Sequence, residues 1–561
     1  MKKIVMRSVR AALQLVPKNL KTKLKKSERL TNFYISAVRR SGLFFDAPTL
    51  KQIHNLYQGW LHANHSLLTQ QNNEAEQPWQ AIILGCKEAF SETEQAVLAL
   101  GAKNAISINS EDKNGFQHQI GNVDSNLPTL LLRSGDTLCT SAIEHFLEAL
   151  KSADIVYSDT DEALENGEYT APRFLPDWNP ELQLSTGYVR TGVMLQADRL
   201  ENAVCLDSIA EILAKAALSS QHVNIKHIPL PLVHACFDDD DTARDLNAIR
   251  NQINSISHAS VMLSREQSIN RVMWRNSSPL VSLIIPTKNG KQLVQDCVES
   301  ILEKTTYSNY EIVLIDNGSD EKESLDYFDY LNTLPKISVL RYPGVFNYSA
   351  INNFGVKHAK GSVIGLINND IEVITPEWLT YMVGHVERET VGCVGAKLLY
   401  SDTRIQHAGV VLGYGGGAGH AHKNFPRHHR GYLNRITATN NFSAVTAACL
   451  LVKRSHFEKV GGLNEEKLSV AFNDVDFCLK VKALGVNNVY CAEAELFHHE
   501  SVSRGLDISP EKAARFNREL AFLQTTWSRI IDNDPCYSPN LTLKRENFSV
   551  KSKEEFSDNV K

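Results

Sequence analysis

Three apolar runs near the middle of the chain each end in a cluster of polar residues. Residues 281–285 end at the turn sequence PTKNG, residues 312–315 end at DNGSD, and residues 363–367 end at NND. A short, continuously apolar run predicts a strand buried on both faces, as in a parallel sheet. The carboxyl ends of parallel strands meet at one edge of an open α/β sheet, so the three clusters are expected to converge on one ligand crevice.

Helical and strand-like patterns alternate around these runs. Residues 293–305 have helical spacing, and a second helix is predicted to open in the sequence FNDVDF at residues 472–477. The glycine-rich residues 409–419 are expected to form a flexible loop. Further strands are predicted at residues 391–400, 445–452 and 489–491. The alternation predicts an α/β domain over residues 279–508.

Residues 79–163 repeat this order in a weaker form. Strand-like AIIL, AISI and LPTLLL are separated by helical or polar sequence, and the third ends at Arg133-Ser134-Gly135-Asp136, where NND stands later. This order indicates an internal duplication. The turns after the first two strands differ from PTKNG and DNGSD, which predicts a degenerate copy. The acids of YSDTDE, residues 157–162, are expected to cap a helix or face solvent.

Polar stretches divide the chain into five predicted segments. Their bounds are 1–75 for a basic helical segment, 76–255 for the degenerate copy, 256–278 for a linker, 279–508 for the main α/β domain, and 509–561 for a C-terminal helix and tail. The charged end of the tail is expected to be disordered.

Composition indicates an ordinary soluble protein, with 43% apolar and 22% charged residues. No run of about 18 apolar residues predicts a transmembrane helix. The basic start of the chain has neither the uninterrupted apolar part nor the cleavage site of a signal peptide. Ten cysteines without a CxxC pair argue against a disulfide framework or a zinc knuckle. We therefore expect a cytoplasmic protein.

The net charge of −5 is unevenly distributed. Residues 1–41 hold twelve Lys or Arg and one acid, Glu28, so the remainder carries about −16. A basic arm on an acidic body predicts contact with a polyanion, most simply an anionic membrane surface at the inner face of the cell membrane. A solvated charged face is the alternative, and no nucleic-acid partner is predicted.

The cluster Asn368-Asn369-Asp370 carries the candidate chemistry. An acid at the end of a buried strand is costly unless it is paired or binds a cation, and amide and carboxylate oxygens suit Mg²⁺ or Mn²⁺. Asn and Asp are also common in turns, so the triplet alone leaves a plain turn open. His498 or His499 after the last strand could add a ligand, and Asp474 stands where a general base could be held.

Eight segments of the chain carry a resemblance to a known family. IIPTKNG, LIDNGSD, INNFGVKHAKG, LINNDIEV, VTAACLLVKR, VGGLNE, FNDVDFCLK and HHESVSRG stand in the order found in bacterial family 2 glycosyltransferases of the GT-A fold. The sequence most resembles members that build O-antigen or capsule polysaccharide, including rhamnosyltransferase-like proteins. The match runs from Pro279 to Leu506. It implies a Rossmann-like GT-A (nucleotide-diphospho-sugar transferase) domain preceded by a degenerate GT-A-like domain, which follows the helical N-terminal segment predicted above.

The resemblance also implies roles for single residues. It places a divalent metal, Mg²⁺ or Mn²⁺, at Asp370 and at His498 or His499, and the general base at Asp474. Asn368 replaces the first Asp of the family's DxD metal motif, so Glu372 is a further candidate ligand. The donor pocket is assigned to Pro286, Thr287, Asn289, Asp316, Asn353, Asn368, Asn369 and Arg504.

These assignments imply an inverting transferase that moves a sugar from a nucleoside-diphosphate donor to a polysaccharide or lipid-linked oligosaccharide acceptor. The first part of the chain resembles the N-terminal domain of longer members at YSDTDE and FLPDWNP, and it is expected to be inactive. One alternative is a pseudo-glycosyltransferase that acts as a scaffold or carbohydrate-binding partner, against which Asp370 and Asp474 argue. A nucleotidyltransferase is the other, and it would need more glycine after the first strand than TKNGKQ provides. The chain has no P-loop, GxSxG or HExxH motif.

Overall fold

The fold is described from a computed structural model of the chain. The described residues are 47–69, 77–85, 89–109, 123–199, 208–219, 223–235, 237, 239–262, 268–499 and 509–557. Arg504 and the basic arm, residues 1–41, lie outside these ranges. Within the described ranges, no helix combines the length and the apolar character that crossing a membrane requires.

The first domain is built on an eight-stranded mixed sheet. Its helices are α1 (Leu50–Thr69), α2 (Phe90–Ala99), α3 (Ala142–Leu150), α4 (Pro180–Thr186), α5 (Ile209–Leu218) and α6 (Asp239–Ser255). Its strands are β1 (Gln80–Gly85), β2 (Asn104–Asn109), β3 (Thr129–Arg133), β4 (Thr137–Leu138), β5 (Ile155–Ala163), β6 (Tyr169–Arg173), β7 (Val193–Leu195) and β8 (Ile225–His234). The predicted linker contains an antiparallel pair, β9 (Ala259–Met262) and β10 (Arg271–Trp274).

The second domain is built on a ten-stranded sheet. Its strands are β11 (Val281–Thr287), β12 (Tyr310–Asp316), β13 (Ile337–Arg341), β14 (Val363–Ile367), β15 (Ile371–Val373), β16 (Val391–Leu399), β17 (Ile405–His407), β20 (Asn440–Phe442), β21 (Cys449–Lys453) and β22 (Asn487–His498), with a separate hairpin of β18 (Val410–Leu412) and β19 (Ala418–His420). Its helices are α7 (Lys291–Lys304), α8 (Lys322–Leu331), α9 (Tyr348–His358), α10 (Trp378–Val386), α11 (Arg454–Lys459) and α12 (Asn473–Lys482), followed by α13 (Pro510–Asp532) and α14 (Lys553–Ser557).

The two sheets share one topology. The strand order is β2-β1-β3-β7-β5-β8-β4 in the first sheet and β12-β11-β14-β21-β16-β22-β15 in the second, where β13 extends one edge. The directions also agree, since β3–β7 and β14–β21 are antiparallel while β5–β8 and β16–β22 are parallel with shifted registers. The shared topology confirms the internal duplication and the α/β class predicted from the sequence.

The three apolar runs form neighbouring parallel strands, as predicted. β11 lies between β12 and β14, and every residue of β11 and β14 is buried. Two glycines allow α9 and β14 to pack closely against the side chains of β11. A Cβ on Gly355 of α9 would lie 2.5 Å from a methyl of Ile284, and one on Gly365 would lie 2.8 Å from Leu283. The polar clusters therefore follow strands that end side by side.

The tail after α13 packs between the two domains. Asn540 accepts a hydrogen bond from the Trp60 indole (3.0 Å) and donates one to the carbonyl of Pro229 (2.8 Å). Asp534 accepts from the Ser443 hydroxyl at 2.5 Å and from the Leu412 amide at 2.9 Å. We call residues 533–557 the strap. The polar groups of the strap fasten one domain to the other. The charged end that was expected to be disordered is described only as far as residue 557, where α14 ends.

The FLPDWNP sequence forms part of the contact between the domains. Asn179 caps α4, and its side chain also exchanges hydrogen bonds with the backbone of Asn441, at 3.0 Å in each direction. Glu181 forms an ion pair with Arg388 of the second domain. The first domain is therefore fixed against the second through β20.

The acids of YSDTDE lie in β5, where Asp159 and Asp161 are buried. Asp161 accepts from the Tyr57 hydroxyl and contacts Nδ1 of His234, both at 2.5 Å. Asp159 contacts Nε2 of His227 at 2.8 Å and accepts from the Leu175 amide at 2.7 Å. The expectation that these acids cap a helix or face solvent was wrong for Asp159 and Asp161, since both pair with histidines of the adjacent strand β8.

The pair of His227 with Asp159 predicts a pH-dependent stability. Burial alone would lower the pKa of His227, but Asp159 and Asp177 raise it to about 9. Because the folded pKa exceeds the ordinary value of about 6.5, this stabilisation is complete below about pH 6.5 and is lost as the pH rises through about 9. His227→Gln is expected to cost about 1–3 kcal/mol at pH 6 and less at about pH 9.5.

The midpoint of urea unfolding at the two pH values measures this difference. His62→Gln is the matched control, because His62 lies exposed on α1. An equal loss of stability for His227→Gln at both pH values would contradict the assignment of a charged His227.

Candidate active site

Asp370 and His498 form the centre of the candidate site. Asp370 lies in the short turn between β14 and β15, and His498 is the last residue of β22. Ile371 pairs with His498 in the sheet, which brings Oδ1 of Asp370 within 3.2 Å of Nε2 of His498. Both side chains are buried. The sheet register thus joins two residues that are 128 positions apart in sequence.

His499 and Glu372 form a separate pair. Nε2 of His499 lies 3.2 Å from the Glu372 carboxylate, and its Nδ1 lies 2.7 Å from the Ser401 hydroxyl. Glu372 also contacts Nζ of Lys304 at 3.1 Å. Of the two adjacent histidines, the structure brings His498 to Asp370 and gives His499 other partners.

Asn368 connects the Asp370–His498 pair to the neighbouring strand. Its amide nitrogen lies 3.3 Å from Nε2 of His498, and its Oδ1 lies 3.2 Å from the Tyr348 hydroxyl. The same hydroxyl lies 3.1 Å from the carbonyl of Ala447. Tyr348 therefore bridges the end of β14 and the segment that precedes β21.

Asp474 is held on the other side of Ala447. Its carboxylate accepts from the amides of Ala447 (3.1 Å) and Val475 (2.9 Å) in the first turn of α12. Burial raises the pKa of Asp474, and these amide hydrogen bonds oppose the rise. Ala447 thus contacts Asp474 through its amide and Tyr348 through its carbonyl, so a chain of hydrogen bonds joins the Asp474 carboxylate to Asn368.

Four residues of the predicted donor pocket lie around the ends of β11 and β12. The Asn369 side chain donates to the Thr287 hydroxyl at 2.9 Å. Thr287 pairs in the sheet with Asp316, whose carboxylate accepts from the Ser319 amide at 2.7 Å and contacts Arg341 at 3.2 Å. Pro286 precedes Thr287 in β11.

Asn289 and Asn353 are engaged elsewhere. The Asn289 side chain binds the backbone of Asp320 at 3.0 Å and so ties together the turns after β11 and β12. Asn353 exchanges hydrogen bonds with the backbone of Leu463, both at 2.9 Å, and donates to Glu465 at 2.7 Å. The structure does not bring Asn353 to the Asp370–His498 pair.

The donors at the centre fit a cation that is shared with a substrate. Among the residues that the structure describes, no group of three or more His, Cys, Asp or Glu side chains could hold a metal. Asp370 and His498 supply one carboxylate and one imidazole, and Nδ1 of His498 is buried without a hydrogen bond. Mg²⁺ is commonly bound by one or two carboxylates together with waters and substrate phosphates. The pair therefore suits a metal that arrives with a diphosphate.

A family model decides the identity of this domain. The model described as glycosyl transferase family 2 matches residues 282–461, which contain the strands β11 to β21 and both Asp316 and Asp370. The second domain is thus a family 2 glycosyltransferase domain. The match confirms the family resemblance and the GT-A assignment drawn from the eight sequence segments.

Relatives match more of the chain than the family 2 domain. An uncharacterized protein of Sinorhizobium fredii, y4gI, is 40% identical over 432 residues, which cover 72% of this chain and 47% of the relative. The O-antigen biosynthesis protein RfbC of Myxococcus xanthus is 32% identical over 409 residues, or 69% of this chain and 31% of the relative. The chain thus spans about half or less of the length of these relatives.

Two solved glycosyltransferase structures are distantly similar. A mannosyltransferase from Pyrobaculum calidifontis, in complex with GDP-Man and Mn²⁺, covers 47% of this chain and 71% of its own at 15% identity and a TM-score of 0.33. GalNAc-T7 with UDP, GalNAc and Mn²⁺ covers 54% and 60% at 17% identity and a TM-score of 0.38. Likeness at these scores assigns no ligand to the family 2 domain.

Helix α13 supports the loop that carries Asp474. Glu519 is buried, and its carboxylate accepts from the amides of Val470 (3.1 Å) and Ala471 (2.9 Å). The Trp527 indole donates to Asp476 at 2.9 Å. Sequence analysis missed Glu519, Trp527 and Tyr348, because their roles depend on contacts between distant segments. Only Tyr348 lies beside a family motif, INNFGVKHAKG.

Tyr348→Phe is expected to lower the turnover of the family 2 domain by about tenfold, the size expected when a positioning hydrogen bond is lost. The change removes the hydroxyl that joins Asn368 to the carbonyl of Ala447, and leaves the ring in place. The rate of nucleotide release at saturating donor measures it. Tyr330→Phe is the control, because Tyr330 is exposed on α8. Equal rates for the two variants would remove Tyr348 from this role.

The first domain has an aspartate and a histidine at positions equivalent to Asp370 and His498, but these two residues do not contact each other. Asp136 follows β3 as Asp370 follows β14, and His234 ends β8 as His498 ends β22. His234 contacts Asp161, however, while Asp136 accepts from the Arg133 amide at 2.8 Å and from Thr191. Burial raises the pKa of Asp136 to about 7. The second residue of α5, where Asp474 stands in α12, is alanine.

Proposed function

We propose that the chain is an inverting, metal-dependent glycosyltransferase that moves a sugar from a nucleoside-diphosphate donor to a growing cell-surface polysaccharide. The observation that supports this proposal is a chain of contacts from Asp474 through Ala447, Tyr348 and Asn368 to His498 of the Asp370–His498 pair. A base beside a cation-binding pair is the arrangement that direct transfer from a diphosphate requires.

Asp474 is the proposed general base. It takes the proton from an acceptor hydroxyl, whose oxygen attacks the anomeric carbon from the face opposite the diphosphate. The C–O bond to the diphosphate breaks as the new glycosidic bond forms, so one displacement inverts the anomeric configuration. Burial raises the pKa of Asp474, and a carboxylate with a raised pKa is a stronger base at neutral pH.

Asp370 and His498 would hold the metal, Mg²⁺ or Mn²⁺. When bound, such an ion supplies positive charge to the departing diphosphate. Asn368 and Tyr348 keep His498 and the end of β14 in register. We assign the nucleotide to Thr287, Asp316 and the neighbouring Pro286 and Asn369, with Asn289 holding the adjacent turns together. Arg504 remains a candidate diphosphate ligand.

The first domain is proposed to be inactive and to serve assembly or acceptor docking. Its Asp136, Asp159 and Asp161 are all buried in contacts of their own, and alanine stands at the position of the base. The protein is proposed to work in the cytoplasm on the inner face of the membrane, with residues 1–41 as its basic contact. A pseudo-transferase scaffold is the alternative, and catalytic assay of the second domain distinguishes the two.

A donor screen tests the proposal. UDP-, dTDP- and GDP-sugars are incubated with the protein and either Mg²⁺ or Mn²⁺, and nucleotide release is measured. One donor is expected to release its nucleotide in a metal-dependent reaction that Asp370→Ala abolishes. Release from no donor, or equal release by Asp370→Ala, would favour the scaffold alternative.

A further inference from the structure

A cleft of about 700 Å³ opens between the β18–β19 hairpin, the start of α12 and the strap. The glycine-rich segment that forms the hairpin was expected to be a flexible loop, but it is packed against α13. A Cβ on Gly417 would lie 2.6 Å from Leu520 and 3.4 Å from the ring of Phe472. Glycine at this position therefore lets the hairpin close one wall of the cleft.

Aromatic rings line the cleft beside the candidate base. Phe472 and Phe516 lie 5.3 Å apart between ring centroids, and Tyr414 lines the hairpin side. Phe472 adopts a φ of 59°, which is rare for a bulky residue and persists where the surroundings enforce it. Glu519 holds the two preceding residues through their amides. The ring is thus fixed in the cleft two positions before Asp474.

Three basic residues also line the cleft. Lys423 follows the hairpin, and Lys544 and Arg545 belong to the strap. Glu546 is the acid among the residues that line this cleft, so the lining carries a net positive charge. Aromatic faces suit the apolar faces of a sugar ring, and Lys and Arg bind phosphate or carboxylate.

We propose that this cleft binds the acceptor, and that the acceptor is a saccharide with an anionic group, either a phosphate or a carboxylate. The inference rests on the proposed function, because the acceptor must present its hydroxyl to Asp474. Phe472 and Phe516 contact the sugar, and Lys423 and Arg545 bind its charge. The C-terminal strap thereby contributes to substrate choice as well as to the contact between the domains.

Binding of simple sugars tests the cleft directly. Saturation-transfer NMR is recorded on the full chain with glucose 1-phosphate, glucuronic acid and glucose as probes. At least one charged probe is expected to show a signal three or more times that of glucose, and the comparison of phosphate with carboxylate identifies the anionic group. The double variant Lys423→Gln/Arg545→Gln is expected to lose this preference. Lys357→Gln/Lys459→Gln is the matched control, because both lysines are exposed outside the cleft.

Two results would overturn the inference. Equal signals for glucose and both charged probes would show that the acceptor site does not select an anionic group. An unchanged preference in the double variant would show that the charged probe binds outside this cleft. Nucleotide release by the wild-type protein without acceptor is measured in parallel. If nucleotide is released but the probes show no charge preference, the transferase proposal stands and the acceptor cleft is rejected. If no donor releases its nucleotide, the transferase proposal and the acceptor assignment are both rejected.

Discussion

Asp474→Asn is expected to keep donor binding and to lose sugar transfer by about 10²-fold or more, the usual size of a general-base effect. Asparagine has the same shape, and its one side-chain oxygen can still accept from one of the two amides, of Ala447 or Val475, that now bind the two carboxylate oxygens. It cannot take a proton from the acceptor hydroxyl. Donor affinity and the rate of transfer, measured separately on the variant, distinguish loss of the base from loss of the pocket.

The pH dependence of kcat/KM tests the role of Asp474 independently. Burial raises the pKa of Asp474 above its ordinary value of about 4, so kcat/KM should fall with decreasing pH at a higher pH than an exposed aspartate would cause. Asp326→Asn is the control variant, since Asp326 forms an exposed pair with Lys322. Transfer by Asp474→Asn at the rate of this control would remove Asp474 from catalysis.

His498→Ala is expected to raise the Mn²⁺ concentration for half-maximal activity at least tenfold and to lower the maximal rate by about 10²-fold, because it removes one of two protein donors to the cation. Asp370→Ala should have an equal or larger effect, since it removes the negative charge. Metal titrations of nucleotide release measure both. Chelation with EDTA should abolish the wild-type activity, and added Mn²⁺ should restore it.

His499→Ala is the matched comparison for this prediction. It removes an adjacent histidine that contacts Glu372 and Ser401, so its metal dependence should stay within a few-fold of wild type. A larger effect for His499→Ala than for His498→Ala would reverse the assignment of the two histidines.

The strands and their polar ends were predictable because continuous apolar runs identify them without tertiary information. The limits of β14 agree with the run at residues 363–367, and the internal duplication was visible in the order of elements. The pairing of Asp370 with His498 followed from family resemblance, whereas the choice between His498 and His499 did not. That choice depends on the register between β15 and β22, which cannot be determined from the sequence alone.

The remaining features could not be predicted because they arise where distant segments meet. Asp159 and Asp161 were read as turn or cap residues, since their histidine partners lie about 70 positions later on β8. The strap was read as a tail, because its short polar sequence has no periodicity and gains order only by packing between two domains. Glu519 resembles any helical glutamate until the backbone of residues 470 and 471 is placed beside it.

A crystal structure of the Asp474→Asn variant with Mn²⁺ and the donor found by the screen tests the central claim most directly. The account predicts that the Asp370 carboxylate and Nε2 of His498 both bind the metal, and that the anomeric carbon faces position 474 on the side away from the diphosphate. A metal bound elsewhere, or an anomeric carbon turned away from position 474, would contradict it.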